Sequence, residues 1–147
     1  MRRLLYATVL MLFPLVLLGC GNDDVTADLG YQVPVVKSVT ANPASLGYSG
    51  GRTTLTATVE NARPLSAVTA KVVQVQPAAG GTRYLPLAAS GSGTYQVSVD
   101  LPANTSPSGA AVTHEITVTA TDDAGGVSAP VKLQVLVAAA DAPPAPQ

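Results

Sequence analysis

The sequence contains one cysteine, Cys20, and one histidine, His114, and these two side chains are the best suited to covalent or acid–base chemistry. Nucleophilic catalysis needs an activated nucleophile with a base in reach, and a zinc site needs several clustered Cys or His ligands. His114 alternates with Ile116 and Val118, which predicts an inward-facing position at the start of a strand. A core position for His114 is therefore favoured over a general base, and we predict neither an enzyme nor a zinc site.

Cys20 stands at the end of a segment that has the features of an export signal. Arg2 and Arg3 form a short positive region, and residues 4–18 after them are almost entirely apolar. This apolar stretch is shorter than the roughly 20 residues that a helix needs to span the hydrocarbon core of a bilayer. Its length favours a signal peptide over a permanent transmembrane anchor. An ordinary secretory signal with an incidental cysteine is the alternative.

The tetrapeptide Leu17-Leu18-Gly19-Cys20 resembles the lipobox of bacterial lipoproteins. Leu17 and Gly19 match that motif, whereas Leu18 stands where a smaller Ala or Ser is commoner. The resemblance implies that residues 1–19 are removed, that diacylglycerol is attached to the Cys20 thiol and that its new amine is acylated. Two or more chains anchor a protein stably, since each buried methylene contributes about 0.8 kcal/mol. We therefore expect a lipid-anchored mature protein with no other cofactor.

The segment that begins at the cysteine predicts a flexible tether and indicates the membrane to which the protein is delivered. Residues 20–32 are mostly small, polar or acidic and show no periodicity, as expected of a flexible linker. In lipoproteins of diderm bacteria, an Asp directly after the cysteine favours the inner membrane, but Gly21 occupies that place here. The resemblance thus implies the cell envelope, and the outer membrane if the host is diderm.

The charge of the chain excludes one class of partner. Removal of the leader takes Arg2 and Arg3 from the eight basic side chains, which leaves six against nine acidic ones. A mature protein with a net charge of about −3 and no basic stripe is not expected to bind nucleic acid. With a single cysteine, no intramolecular disulfide can form, so stability is expected to come from burial between β-sheets.

From residue 33 onward, apolar and polar residues alternate with a period of two. Leu55, Ala57 and Val59 share one face of such a run, and threonines occupy the other face. This alternation, rich in Val and Thr, is typical of half-buried antiparallel strands. Segments rich in Gly, Pro and Asn separate seven such runs. The predicted strands are residues 33–41, 52–60, 66–76, 82–89, 94–101, 111–121 and 127–137.

Seven short strands in about a hundred residues predict an all-β fold, a single immunoglobulin-like antiparallel β-sandwich. Residues 39–43, 55–59, 93–95 and 119–126 resemble the immunoglobulin-like and fibronectin-III-like modules of bacterial envelope proteins. The resemblance covers residues 33–138 and concerns the fold rather than the function.

The sequence also predicts an irregularity in the third strand and the position at which the domain ends. The apolar phase switches between Val72 and Val73, which predicts a β-bulge or burial on both faces. Residues 139–147 are rich in Pro and Ala and are predicted to form a disordered tail. The domain is thus expected to end near residue 138.

Calcium is one ligand that the loops could bind. Asp122 and Asp123 in the last turn, with Glu60 at another strand end, offer the hard oxygen ligands that calcium prefers. The alternative is that the two aspartates accept hydrogen bonds from their own turn. Both interpretations stay open at this stage.

Carbohydrate is the second candidate ligand. Tyr48 and Tyr84 could offer aromatic platforms to a sugar, whereas Tyr95 is in phase with buried valines and is expected in the core. The chain contains no Trp. The tripeptide that begins at Asn104 matches a glycosylation sequon, which we interpret as a coincidence.

The expected function is therefore that of a non-catalytic, lipid-anchored envelope module. It would contact a membrane through its lipid and an unidentified envelope protein through strand edges or loops. The alternative is a glycan-binding or accessory module of a surface enzyme system, which would depend on the candidate tyrosines.

Overall fold

The computed structural model describes residues 30–106 and 109–140. The proposed signal peptide, Cys20, most of the proposed tether and residues 141–147 of the tail lie outside the described residues. The described part of the chain contains no helix, and hence none that is long and apolar enough to cross a membrane. From Gln32 onward these residues belong to one compact unit.

Nine strands build this unit, and each of the long ones overlaps a predicted run, although the bounds of β5 and β9 differ from the prediction. Burial alternates most regularly in β3, where Thr53, Leu55, Ala57 and Val59 are buried and their neighbours are not. The strands are β1 (Val35–Asn42), β2 (Ser45–Leu46), β3 (Gly51–Glu60), β4 (Leu65–Gln76), β5 (Ala78–Pro86), β6 (Ala88–Gly91), β7 (Thr94–Leu101), β8 (Val112–Asp122) and β9 (Val131–Val137).

The strands form two sheets that share one core. One sheet has the order β1-β3-β7-β6, and the other has the order β2-β9-β8-β4-β5. Apolar side chains from both sheets belong to a single buried cluster, which includes Leu55 and Val99 from the first sheet and Ile116 and Val135 from the second. The fold is therefore an all-β sandwich, as the alternation predicts.

The structure corrects the number of strands and one pairing. Two short strands, β2 and β6, were not predicted, because two and four residues are too few to show a period. β2 pairs with β9 in parallel, so the sandwich is not wholly antiparallel. The predicted fourth strand, 82–89, is in fact most of β5 followed by the start of β6 in the other sheet.

The last strand begins four residues later than predicted, at Val131. Pro130 lacks an N–H group and interrupts the ladder ahead of it. Ser128 nevertheless continues the pairing, because its N–H donates to the Ala120 carbonyl (2.8 Å) and its Oγ accepts from the Ala120 N–H (2.9 Å). The segment before Pro130 is thus bonded to β8 without being a regular strand.

The predicted switch of phase in β4 corresponds to a bulge. The register shifts between Val73 and Val75 against β5, and between Gln74 and Gln76 against β8. Val72 is buried before this irregularity, and Val75 after it is 39% exposed. The predicted bulge is therefore present, but it does not bring Val75 into the core, and Val73, which precedes it, is half-buried on the face opposite Val72.

The chain crosses from one sheet to the other between β1 and β2. Thr53 is fully buried, and its Oγ1 donates a hydrogen bond of 2.7 Å to the carbonyl oxygen of Pro43 in this crossing. Beyond it, the Ala138 N–H donates to the Leu46 carbonyl, which ties the crossing to the end of β9. The first segment of the domain is consequently bonded to both sheets.

Candidate functional site

The carboxylates of the described residues are all engaged by neighbouring groups. Four of them form ion pairs of 2.8–2.9 Å, namely Lys37–Glu60, Arg52–Asp100, Arg63–Asp123 and Lys132–Glu115. The fifth, Asp122, is buried and accepts hydrogen bonds from the Ala124 and Gly126 amides. Lys71 and Arg83 are therefore the cations to which no carboxylate in the described part of the chain is paired.

The three calcium candidates do not come together as a ligand set. Glu60 bonds Lys37, Asp123 bonds Arg63, and only Asp122 accepts from its own turn. Within residues 30–106 and 109–140, no group of three or more His, Cys, Asp or Glu side chains could hold a metal ion. The turn interpretation thus describes Asp122, whereas Asp123 ties the turn to the loop after β3.

The two candidate tyrosines also lie apart. Tyr48 is 58% exposed and follows β2, and Tyr84 is 67% exposed and lies in β5. Because β2 and β5 are the opposite edges of the five-stranded sheet, about 19 Å of strand spacing separates them. They do not form one platform for a sugar, and Tyr95 packs against the core as expected.

His114 is buried in β8, where the sequence places it. His114 lies opposite Gln74 of β4 and Val135 of β9 in the two ladders, and the residue is 4% exposed. Its Nδ1 has no hydrogen-bond partner. Burial, and then the positive charge of Arg83, lower the pKa of His114 below its usual value, so the neutral imidazole is favoured in the folded protein.

Two cavities open at this end of the sandwich and share Gln74 and Pro102. The smaller, of about 200 Å³, is lined by His114, Arg83 and the Gly80–Gly81 pair among others. The larger, of about 420 Å³, lies beside the segment after β7 and includes Thr105 and Ser106. Sequence reasoning missed this juxtaposition, because β5 and β8 are separated along the chain and only the sheet brings them close.

We expect the free energy of unfolding to fall as the pH is lowered from about 7.5 to about 5.5. The folded-state pKa of His114 is lowered, so the unfolded chain takes up a proton at a pH at which the folded chain does not. The full stability is therefore present above the unfolded value of 6.5 and is lost progressively below it. Urea unfolding at several pH values measures this slope.

The control for this pH dependence is a His114→Phe variant. His114 is the single histidine of the sequence, so no other side chain with an ordinary pKa titrates in that range. The variant should show a flat profile. A slope that persists in the variant, or a wild-type slope of opposite sign, would contradict the assignment.

Asn104 is a structural residue that sequence reasoning missed. Its Nδ2 donates to the Ala110 and Ala138 carbonyls (2.8 and 2.9 Å), and its Oδ1 accepts from the Ser106 N–H. Its own N–H donates to the Tyr48 carbonyl. Asn104, the first residue of the sequon-like tripeptide, thus joins the segments that contain Tyr48, Ala110 and Ala138.

Comparison with known proteins assigns no family: no family model matches the chain, and no curated protein matches it. The class of protein that the structure defines is an all-β sandwich of two sheets. Two of its local features could take part in binding: the exposed edge strand β5 and the cavity beside His114.

Proposed function

We propose that this chain is a lipid-anchored, non-catalytic module of the bacterial cell envelope that binds another envelope protein through the edge strand β5. The anchor is proposed on the lipobox-like segment that ends at Cys20. The immunoglobulin-like character is proposed on the order of strands, with the second sheet completed by β5. The observation that carries the interaction is the exposure of β5, of which only Leu85 is half-buried.

β5 is the least protected of the four sheet edges. Edge strands are commonly shielded by being short, by Lys or Pro, or by a bulge. β2 and β6 have two and four residues, and β1 carries both Lys37 and an irregularity between Val36 and Ser38. β5 has nine residues with its proline last, and although its pairing with β4 is irregular between Val73 and Val75, residues 82–86 pair without a break. An extended segment of a partner could therefore add to β5 as a further strand.

The register identifies which amides of β5 face outward. The Leu87 N–H donates to the Val68 carbonyl in β4, so alternation along the strand directs the odd-numbered amides towards β4. The amides of Thr82 and Tyr84 then face away from the sheet. They are the donors that a partner strand would meet.

The proposed lipid anchor predicts that loss of Cys20 moves the protein from the membrane fraction to the soluble fraction. We expect a Cys20→Ser variant to lose metabolic palmitate labelling and to move from the membrane fraction to the soluble fraction. The physical reason is that the acyl chains supply the attachment and that no thiol remains to receive them. Globomycin treatment of cells that express the wild-type chain is the matched control and should block processing. A variant that still takes the label would refute the anchor.

The edge contact predicts a selective loss of binding. Thr82→Pro removes an outward amide without removing a bond to β4, whereas Thr82→Ala keeps the amide and changes only the side chain. A partner that co-purifies in stoichiometric amount from native membranes should remain with Thr82→Ala and be lost with Thr82→Pro. Equal retention by both variants would place the contact elsewhere, and repeated absence of any stoichiometric partner would count against the proposed function.

A further inference from the structure

We propose that the cavity beside His114 is a binding site for a small carboxylate-bearing or other oxyanion ligand, held between the imidazole of His114 and the guanidinium of Arg83. The site is distinct from the outward amides of β5 and does not depend on the proposed partner. It is assigned from the cavity, from the burial of His114 and from the charge of Arg83.

The position of Arg83 directs its charge to the cavity. Arg83 is opposite Val72 in the ladder of β4 and β5, and Val72 is buried and lines the same cavity. Opposite residues of a ladder project from the same face of the sheet. The Nη1 of Arg83 donates to the Asp100 carbonyl across the sandwich (2.9 Å), which holds the side chain at the mouth of the cavity.

The guanidinium keeps unused donors in this position and forms no ion pair with the described residues, although the pKa of Asp100 is lowered first by its hydrogen bonds with Arg52 and also by the charge of Arg83. A guanidinium has five N–H groups, and the Asp100 carbonyl takes one of them. The Asp100 carboxylate is engaged by Arg52 through two hydrogen bonds of 2.9 and 3.1 Å. An oxyanion in the cavity would accept from the remaining donors of Arg83 in the planar geometry that Arg favours.

His114 completes the polar side of the cavity. Its Nδ1 has no hydrogen-bond partner although the residue is 96% buried, so no protein group fixes the tautomer of the ring. An unpaired buried polar atom costs about 1–3 kcal/mol. Because Nδ1 is enclosed by protein atoms, a ligand oxygen in the cavity would accept from the tautomer that carries the proton on Nε2. A bound anion would also stabilise the protonated imidazole, against the effects of burial and of Arg83.

The remaining lining suits a compact ligand rather than a chain. Gly80 and Gly81 have no side chain to fill the space, and a Cβ at either would meet no atom within 4 Å. Val72 and Pro102 supply apolar walls. A volume of about 200 Å³ accommodates a few non-hydrogen atoms, such as a short carboxylate or a phosphate-sized group.

The test uses the unique histidine as its own reporter. The full acylated chain in detergent micelles, labelled with ¹³C-histidine, gives a single imidazole signal whose pKa is measured by NMR during titration with sodium acetate. Sodium sulfate provides a second oxyanion, and sodium chloride at equal ionic strength provides the control for screening. We expect a saturable upward shift of the His114 pKa of about half a unit or more with the oxyanions and none with chloride.

Two variants locate the effect. Arg83→Gln removes the cation and should abolish the shift, whereas Lys71→Gln should behave as the wild type, because Lys71 lies on the outer face of β4. A response to acetate alone identifies a carboxylate site, and a response to both salts identifies a general oxyanion site. The absence of a saturable shift in the wild type, an equal shift with chloride, or an unchanged shift in Arg83→Gln would overturn the proposal. The comparison of salts on the wild-type protein decides the matter even if Arg83→Gln does not fold.

Discussion

Replacement of Gly50 by alanine is expected to lower the free energy of unfolding by about 3–5 kcal/mol. Gly50 has a φ of +71°, in the left-handed region that alanine enters only at a cost. A Cβ at this position would stand 2.4 Å from the Leu101 carbonyl oxygen and 2.5 Å from the Pro102 carbonyl group. Because these are backbone atoms, the loop after β2 and the end of β7 would both have to move. Urea unfolding followed by circular dichroism measures the loss.

Gly125→Ala is the matched control for this prediction. Gly125 also has a positive φ, +86°, but a Cβ there would meet no atom within 4 Å. That variant should lose only the conformational contribution of about 1–2 kcal/mol. Equal losses in the two variants would show that the contact with Leu101 and Pro102 does not constrain the fold.

Replacement of Asn104 by aspartate is expected to destabilise the protein by about 2–3 kcal/mol. The amide nitrogen of Asn104 donates to two carbonyl oxygens, those of Ala110 and Ala138. An aspartate of the same shape would place a negative oxygen against both acceptors and remove the hydrogen bonds that Asn104 donates to them. The loss should be accompanied by faster amide hydrogen exchange at Ala138, whose carbonyl is released and whose N–H bonds Leu46.

Asn61→Asp provides the comparison for Asn104. Asn61 is exposed, and its Nδ2 makes a single hydrogen bond, to the Arg63 carbonyl two residues away. A loss below about 1 kcal/mol is expected for that variant. If Asn104→Asp were equally mild, the bonds of Asn104 would not hold the three segments together.

The period-two pattern predicts the sandwich because burial follows it strand by strand. β7 has the predicted bounds, and β8 buries every second residue from Val112 to Asp122. The pattern does not predict strands that are too short to show a period, or strands whose pairing depends on residues distant in the sequence. Leu46 belongs to a strand because Ala138 donates to its carbonyl, and nothing within residues 45–46 indicates that partner. Likewise, Pro130 delays β9 while Ser128 keeps its bonds to Ala120.

The candidate site could be predicted only in part. The alternation of His114 with Ile116 places it in the core, and the structure confirms that position. The proximity of Arg83 depends on the register between β4 and β5, which the bulge near Val75 shifts and which no local motif encodes. The same limit applies to Asn104, since its partners lie 6 and 34 residues away. Long-range pairing is the information that a single sequence does not display.

The crossing of the first segment from one sheet to the other has a mechanical consequence. A protein tethered at its N-terminus and held by a partner would carry any tension first on β1 and β2. β1 is bonded along its length to β3 in one sheet, and β2 is bonded to β9 in the other. Because the two strands are consecutive, a pulling force must shear the first ladder before it reaches the second, and the Thr53–Pro43 bond lies at the junction. In such a tethered protein, the N-terminal segment would resist tension in two steps, first through the ladder of β1 and β3 and then through that of β2 and β9.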